Sequence, residues 1–127
     1  STLALLDRDV GYGIPRFQNT AKSMGIRPIV GAELTIGASV PHGGDAADHP
    51  APAFLLPLLC ESAEGYRNLC RLITRMKLAS PKGEGALPLE AFEGMTGGLV
   101  ALVGRPALDA HRFGVGGLLD RIVGLFG

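Results

Sequence analysis

Three carboxylates stand where two short apolar runs end, and their chemistry suits the binding of a divalent cation. The apolar residues 3–6 lead into Asp7 and Asp9, and the apolar residues 29–32 lead into Glu33. Carboxylate oxygens are suitable ligands for Mg²⁺, Mn²⁺ and Zn²⁺. An Asp that follows a strand is also a common turn former or helix cap. The pattern therefore leaves two interpretations open, a metal site and a purely structural edge.

The elements around these acids predict that they meet at one edge of a sheet. Strands are predicted over residues 2–6 and 26–36, with a helix over residues 15–24 between them. Pro15 suits the first helical turn, where its missing N–H costs nothing, and Gly25 suits the position after the last turn. Ligands of α/β proteins gather at the carboxyl ends of such strands.

The rest of the chain continues the alternation of strands and helices, which predicts an α/β fold with parallel strands. A third strand is predicted over residues 54–59, and Pro57 within it indicates an edge strand or a bulge. Ser62 is suited to cap the next helix, whose predicted apolar stripe is Tyr66, Leu69, Cys70, Ile73 and Met76. The remaining predictions are loops over residues 37–52 and 79–88, a short helical turn over 89–93, a strand over 98–103 and a helix over 118–126.

Composition indicates one globular domain and gives no argument for binding to nucleic acid or to a membrane. Of the 127 residues 46% are hydrophobic, and 12 Lys and Arg balance 12 Asp and Glu. No apolar run approaches the roughly 20 residues that span a bilayer. Cys60 and Cys70 lack the spacing of a metal or redox motif, so we expect both to be reduced, as in a cytoplasmic protein. The sequence contains neither a phosphate-binding loop nor a Gly-x-Ser-x-Gly elbow, so no catalytic nucleophile is predicted.

Other charged residues each admit two interpretations. Arg8 either holds Asp7 and Asp9 ionised without a metal or is an exposed loop residue. A basic series either contacts phosphates or forms the solvated side of a helix; its members are Arg67, Arg71, Arg75, Lys77 and Lys82. Catalytic hydrolytic centres usually add several histidines to such acids, and this chain has His42, His49 and His111. We expect the first two to be loop residues rather than ligands.

Four segments, in the same order along the chain, resemble the PHP (polymerase and histidinol phosphatase) domain of bacterial DNA polymerase III alpha-type subunits. They are LALLDRD, GIRPIVGAE, LPLL and EGYRNLCRLITRMKL, at residues 3–9, 25–33, 56–59 and 64–78. The Asp-Arg-Asp variant and the YRNLCRLIT run look most like the error-prone branch of that family. The resemblance implies a distorted β/α barrel, seven-stranded in the intact family, of which residues 1–127 form a single partial domain, truncated at both ends.

The resemblance also implies a degenerate metal site. Asp7 and Glu33 align with metal ligands of the family, whereas Arg8 and Leu55 stand where metal-binding members place histidines. Asp9 would line the same site. We therefore expect vestigial ligands, no catalytic residue and no tightly bound cofactor in this segment, with Zn or Mn only where a PHP site is intact.

The function implied is that of a structural, non-catalytic PHP segment in an error-prone DNA-directed DNA polymerase, which synthesises DNA in translesion repair and replication. Such a parent would bind template-primer and deoxynucleotides and would use Mg²⁺ at acids outside this chain. Its remaining polymerase domains would be the partners of this segment, with no membrane involved. The alternatives are a stand-alone PHP-type phosphoesterase, similar to histidinol phosphatase, and a scaffold without nucleotide chemistry.

Overall fold

The computed structural model describes residues 2–8, 13–37, 53–78, 86–105 and 115–127, except for the side chains of residues 7 and 115–118. In chain order the elements are β1 (Thr2–Arg8), α1 (Ile14–Ser23), β2 (Arg27–Ile36), β3 (Phe54–Cys60), α2 (Ala63–Leu78), a 3₁₀ turn (Leu89–Phe92), β4 (Leu99–Ala101) and α3 (Val115–Phe126). Most of the two predicted loops lies outside the described residues, as do Asp9, His42, His49, Lys82 and His111. Among the helices described, none has the length and apolar character needed to cross a bilayer.

The first helix begins and ends where proline and glycine predict. Pro15 occupies its first turn, and Ile14 and Ala21 are its buried residues. After the helix, Gly25 has φ 70°, a conformation that glycine adopts at little cost. The Gly25 N–H donates to Lys22 and the Ile26 N–H donates to Ala21, at 3.2 and 2.9 Å. These two bonds form a Schellman cap, which satisfies carbonyls at the helix end.

The described strands form one mixed sheet in the order β1-β2-β3-β4. β1 pairs with β2 in parallel, whereas β3 is antiparallel to both β2 and β4. The expectation that all strands would be parallel is therefore wrong for β3. A parallel connection requires a crossover, which is usually a helix, and residues 37–52 between β2 and β3 carry no helical pattern of large apolar residues.

The prediction that Pro57 marks an edge strand is wrong, because β3 is an inner strand between β2 and β4, but Pro57 does lie where the pairing with β4 ends. The Leu102 N–H donates to the Pro57 carbonyl at 2.9 Å. The N–H and C=O of one residue point to the same side of a strand, so the missing N–H of Pro57 also faces the β4 side. The ladder between β3 and β4 ends at Leu58, so the missing N–H lies just beyond the paired residues, where proline is tolerated.

The main core lies between one face of the sheet and α2. Alternate residues of β2 and β3 are buried on this face: Ala32, Leu34, Ile36, Phe54, Leu56 and Leu58. α2 contributes Leu69, Leu72 and Met76, while Phe92 of the 3₁₀ turn and Ile122 of α3 close the cluster. The described aromatic pair, Phe92 and Phe126, has ring centroids 5.9 Å apart and joins α3 to this core.

The buried face of α2 differs from the predicted stripe. Tyr66 and Cys70 are exposed, whereas Gly65, Asn68 and Leu72 are buried. The cause is a close backbone approach, since a Cβ at Gly65 would overlap the carbonyl oxygen of Gly98. The stripe was predicted from large side chains, but the helix turns its smallest residue towards β4. As predicted, Ser62 caps the helix by accepting a hydrogen bond from the Gly65 N–H at 3.2 Å.

Candidate functional site

The carboxyl ends of β1 and β2 lie side by side, and their register decides which predicted site residues are neighbours. Arg8 pairs with Glu33, and Asp7 pairs with Ala32. Residues in register share a face of a sheet, and successive residues alternate between faces. Glu33 is half-buried on the face opposite the main core, and Arg8 is exposed beside it. The sheet neighbour of Glu33 is therefore a cation, and Asp7 is offset from Glu33 by one position in the register.

Leu55 reaches the same edge because β3 is antiparallel. It pairs with Thr35, and the next pair along the ladder on this face joins Pro57 to Glu33. Diagonal neighbours in such a ladder are about 7–8 Å apart, so Leu55 lies near Glu33. Arg8, Glu33 and Leu55 thus share one face, which we call the Glu33 face.

A glycine on the Glu33 face holds the three strands close together. Gly31 lies two residues before Glu33, and a Cβ there would overlap the Leu58 carbonyl oxygen and come within 2.8 Å of the Leu6 side chain. Leu6 is the register partner of Gly31. The side chain of Leu6 therefore occupies the space that Gly31 leaves, and this contact fixes the register that sets Arg8 beside Glu33.

The described residues of the Glu33 face do not by themselves fit a metal ion. Glu33 supplies the one carboxylate among the described strand side chains, and Arg8 adds positive charge next to it. Leu55 offers no lone pair. Over the described ranges, no group of three or more His, Cys, Asp or Glu side chains is arranged to hold a metal. Among the described side chains of this face, Arg8 and Glu33 are thus neighbours of opposite charge at the carboxyl ends of β1 and β2.

A second concave region, which the sequence analysis missed, lies at the opposite edge of the sheet. It is a cleft of about 380 Å³ whose lining includes Gln18, Pro28, Cys60, Ser62 and Tyr66. The reversal of β3 creates it, because the carboxyl end of β3 and the start of α2 meet the amino end of β2. The predicted parallel arrangement would have placed these elements with Glu33. The signal that could have located the cleft is the lack of a helical pattern in residues 37–52, because it indicates that β3 is reversed.

The thiol in this cleft is not an activated nucleophile. Burial, and then the charge of Cys70, raises the pKa of Cys60 to about 11. A thiol with such a pKa stays protonated at neutral pH, and the thiolate is the nucleophilic form. The pKa of Tyr66 is also raised, first by the charge of Cys70 and then by a hydrogen bond with it. Both cysteines are free, as predicted, but Cys70 is exposed instead of lying on an apolar stripe.

The predicted basic series lies on the exposed side of α2. Arg67, Arg71, Arg75 and Lys77 are all exposed. Arg71 donates to Asn68 Oδ1 at 3.5 Å, and Arg75 donates to the carbonyl of Ala91 at 3.1 Å. The Arg71 and Arg75 side chains line an open groove of about 620 Å³, together with Leu78 and Met95. Two of the arginines are thus held in place by the protein itself.

Comparison with known proteins gives a consistent result. A family model described as "PHP domain" matches residues 1–126. The chain is similar to an error-prone DNA polymerase of Anaeromyxobacter dehalogenans, with 40% identity over 111 residues, 80% of this chain and 9% of that protein. It is 38% identical over 97 residues to an error-prone DNA polymerase of Mycolicibacterium paratuberculosis, 76% of this chain and 8% of that protein. It is 37% identical over 94 residues to an error-prone DNA polymerase of Mycobacterium tuberculosis, which corresponds to 74% of this chain and 8% of that protein. The chain spans less than a tenth of the length of these relatives.

Proposed function

Because this chain belongs to the PHP domain family, we propose that it is the PHP segment of an error-prone DNA-directed DNA polymerase. The observation that carries the proposal is the identity of 37–40% to proteins of that name over about three quarters or more of the chain. The parent polymerase would extend a primer across damaged templates in the cytoplasm, using template-primer, deoxynucleotides and Mg²⁺. The acids that hold its Mg²⁺ for phosphoryl transfer would lie outside this chain.

Within the parent, we assign the segment a structural role without catalysis. The register of Arg8 with Glu33 supports this assignment, because a guanidinium beside the one described strand carboxylate opposes cation binding. The position of Leu55 on the same face supports it further, since an alkyl side chain cannot replace an imidazole ligand. Asp7 and Glu33 would then be vestigial ligands, with Arg8, Asp9 and Leu55 lining the former site.

The described sheet is compatible with a part of a larger β/α barrel. In the part of the chain that the structure describes, β1 and β4 are the outer strands, each paired on one side. The β1 side chains Leu3 and Leu6 are 53% and 36% exposed, which is unusual for an apolar strand and is typical of an edge that another element covers. We propose that further strands of the parent complete a seven-stranded barrel around this sheet.

Primer extension by the full-length protein tests the polymerase assignment. We expect Mg²⁺-dependent extension of a primed template, including past an abasic site, and no hydrolysis of small phosphoesters such as histidinol phosphate. Phosphoesterase activity without primer extension would overturn the assignment and favour the stand-alone phosphoesterase. A folded protein with neither activity would favour the scaffold.

Metal content tests the structural role separately. We expect the full-length protein, after dialysis, to retain less than one Zn or Mn per chain at the PHP site. The double substitution Arg8→His and Leu55→His restores both family ligands and should raise Zn and Mn retention. The control pair Arg8→Gln and Leu55→Ala removes the same side chains without adding ligands and should leave retention low. One tightly held metal per wild-type chain, lost on substitution of Glu33, would contradict the vestigial assignment.

A further inference from the structure

Three arginines form a regular stripe on the exposed side of α2, and we propose that this stripe binds the phosphate backbone of DNA. Arg67, Arg71 and Arg75 follow one another at intervals of four residues and are all exposed. Four residues advance an α-helix by about 6 Å, so the three guanidinium groups follow one side of the helix. Successive phosphates of one strand rise by about 3.4 Å along the axis of a duplex, so the spacing of the three guanidinium groups is of the same order as the spacing of phosphates. We call these residues the arginine stripe.

The arginine stripe combines fixed geometry with unused donors. Arg71 is anchored to Asn68 and Arg75 to the Ala91 carbonyl. A guanidinium has five N–H donors, and these bonds to the described residues use one donor on each side chain. Among the described residues, the side chain of Arg67 makes neither a hydrogen bond nor an ion pair. Guanidinium groups held in this way suit phosphate oxygens, which accept paired N–H bonds.

The charge distribution along α2 favours an anionic partner. The helix sequence contains one acid, Glu64 in the first turn, against Arg67, Arg71, Arg75 and Lys77. The salt bridge between Arg121 and Glu90 lies outside α2. The chain has no net charge in total, but the exposed side of α2 carries a local excess of positive charge.

The groove beside the arginine stripe adds an apolar surface. Leu78 is 83% exposed and lines the groove of about 620 Å³ with Met95, Thr74 and the two anchored arginines. An apolar surface next to phosphate-binding groups suits the sugars and bases of a nucleic acid strand, which alternate with its phosphates. The choice of DNA over an acidic protein segment depends on the proposed polymerase function.

Salt-dependent DNA binding by the full-length protein tests the proposal. The anisotropy of a fluorescent primer-template would be measured from 50 to 300 mM KCl for the wild type and for Arg67→Gln, Arg71→Gln and Arg75→Gln, singly and combined. Each lost phosphate contact lowers the slope of log K against log salt by about 0.9. We therefore expect the triple variant to lower that slope by about 2–3 and to weaken binding on the order of tenfold per arginine at 100 mM salt.

Two controls separate charge loss from damage to the fold. Arg16 is an exposed cation on α1 and not a member of the stripe, and Arg16→Gln should leave both the slope and the Kd unchanged. The pair Arg71→Lys and Arg75→Lys keeps the charge and should retain most of the salt slope. Arg67→Gln removes no side-chain hydrogen bond or ion pair among the described residues, so its effect on binding would not reflect the loss of such a bond.

The outcomes distinguish this proposal from the polymerase assignment. An unchanged Kd and salt slope in the folded triple variant, with primer extension intact, would overturn the arginine stripe and leave the polymerase assignment in place. Loss of salt-dependent binding in a protein without primer extension would support the stripe and overturn the assignment. If the substitutions abolish binding of a poly-glutamate peptide but leave DNA binding unchanged, the stripe binds an acidic protein partner. That result would also overturn the proposal.

Discussion

Replacement of Gly65 by alanine should loosen the contact between α2 and β4, although alanine is the better helix former. The change would favour the helix by about 1 kcal/mol from intrinsic propensity. The new Cβ would overlap the Gly98 carbonyl oxygen, and overpacking of this kind costs about 1–3 kcal/mol. Any shift that relieves the overlap also strains two hydrogen bonds, from Asn68 to the Gly97 carbonyl at 2.9 Å and from the Glu61 N–H to the Gly98 carbonyl at 2.8 Å.

The net effect is a loss of about 3 kcal/mol within a range of roughly 2–4, with each strained hydrogen bond counted at about 1 kcal/mol and the propensity gain subtracted. Amide hydrogen exchange in the full-length protein measures it, because local opening of α2 and β4 sets the exchange of their protected amides. A loss of about 3 kcal/mol corresponds to roughly 140-fold faster exchange, since about 1.4 kcal/mol is a factor of ten.

Gly124 of α3 provides the matched control. It is also a helical glycine, but a Cβ there meets nothing within 4 Å. Gly124→Ala should therefore slow exchange in α3 or leave it unchanged, because the propensity gain of up to about 1 kcal/mol is not opposed. Equal exchange in Gly65→Ala and the wild type would refute the reasoning, since it would mean that the backbone of β4 does not restrict the helix.

Three further predictions follow from single contacts. Leu72→Ala should cost about 2–5 kcal/mol of unfolding free energy, measured by the same exchange method, because Leu72 is fully buried. Ser62→Ala should cost about 0.5–2 kcal/mol and increase exchange at the first turn of α2, since it removes the cap on Gly65; Ser62→Asp should preserve the cap, and equal losses in both variants would contradict this role. Cys60 should react with iodoacetamide more slowly than exposed Cys70 at pH 8. Because folding raises the pKa of Cys60 from 9.0 to about 11, its contribution to stability should be complete below pH 9 and decline towards pH 11, and a Cys60→Ser variant should lack that decline.

Local signals predicted the elements well because glycine, proline and capping residues act within a few positions. The helix predicted over residues 15–24 is found at Ile14–Ser23, and the strand predicted over 26–36 is found at Arg27–Ile36. The direction of β3 is a different kind of property, since it depends on how a connection of 16 residues (37–52) returns the chain to the sheet. The absence of a helical pattern in that connection was the available signal, and it indicated an antiparallel neighbour.

The site was predictable only in part, because it also depends on how the strands pair. The sequence indicated that Glu33 and the end of β1 would share an edge, and the structure places Arg8 beside Glu33. The spacing of acids along a chain does not fix the register between strands, which depends here on the contact between Leu6 and Gly31. Leu55 reaches the Glu33 face only because β3 is reversed, so the residues gave no independent way to place it there.

The contact of Leu6 with Gly31 also protects this sheet against misfolding. If β1 slipped by one residue along β2, Asp7 would become the neighbour of Glu33, and two like charges would oppose the pairing. The same slip would move the Leu6 side chain away from the space above Gly31 and turn every β1 residue to the other face. Packing and charge therefore penalise the same error, so β1 can find its partner in a single alignment during folding, even though its own sequence of apolar residues would tolerate several.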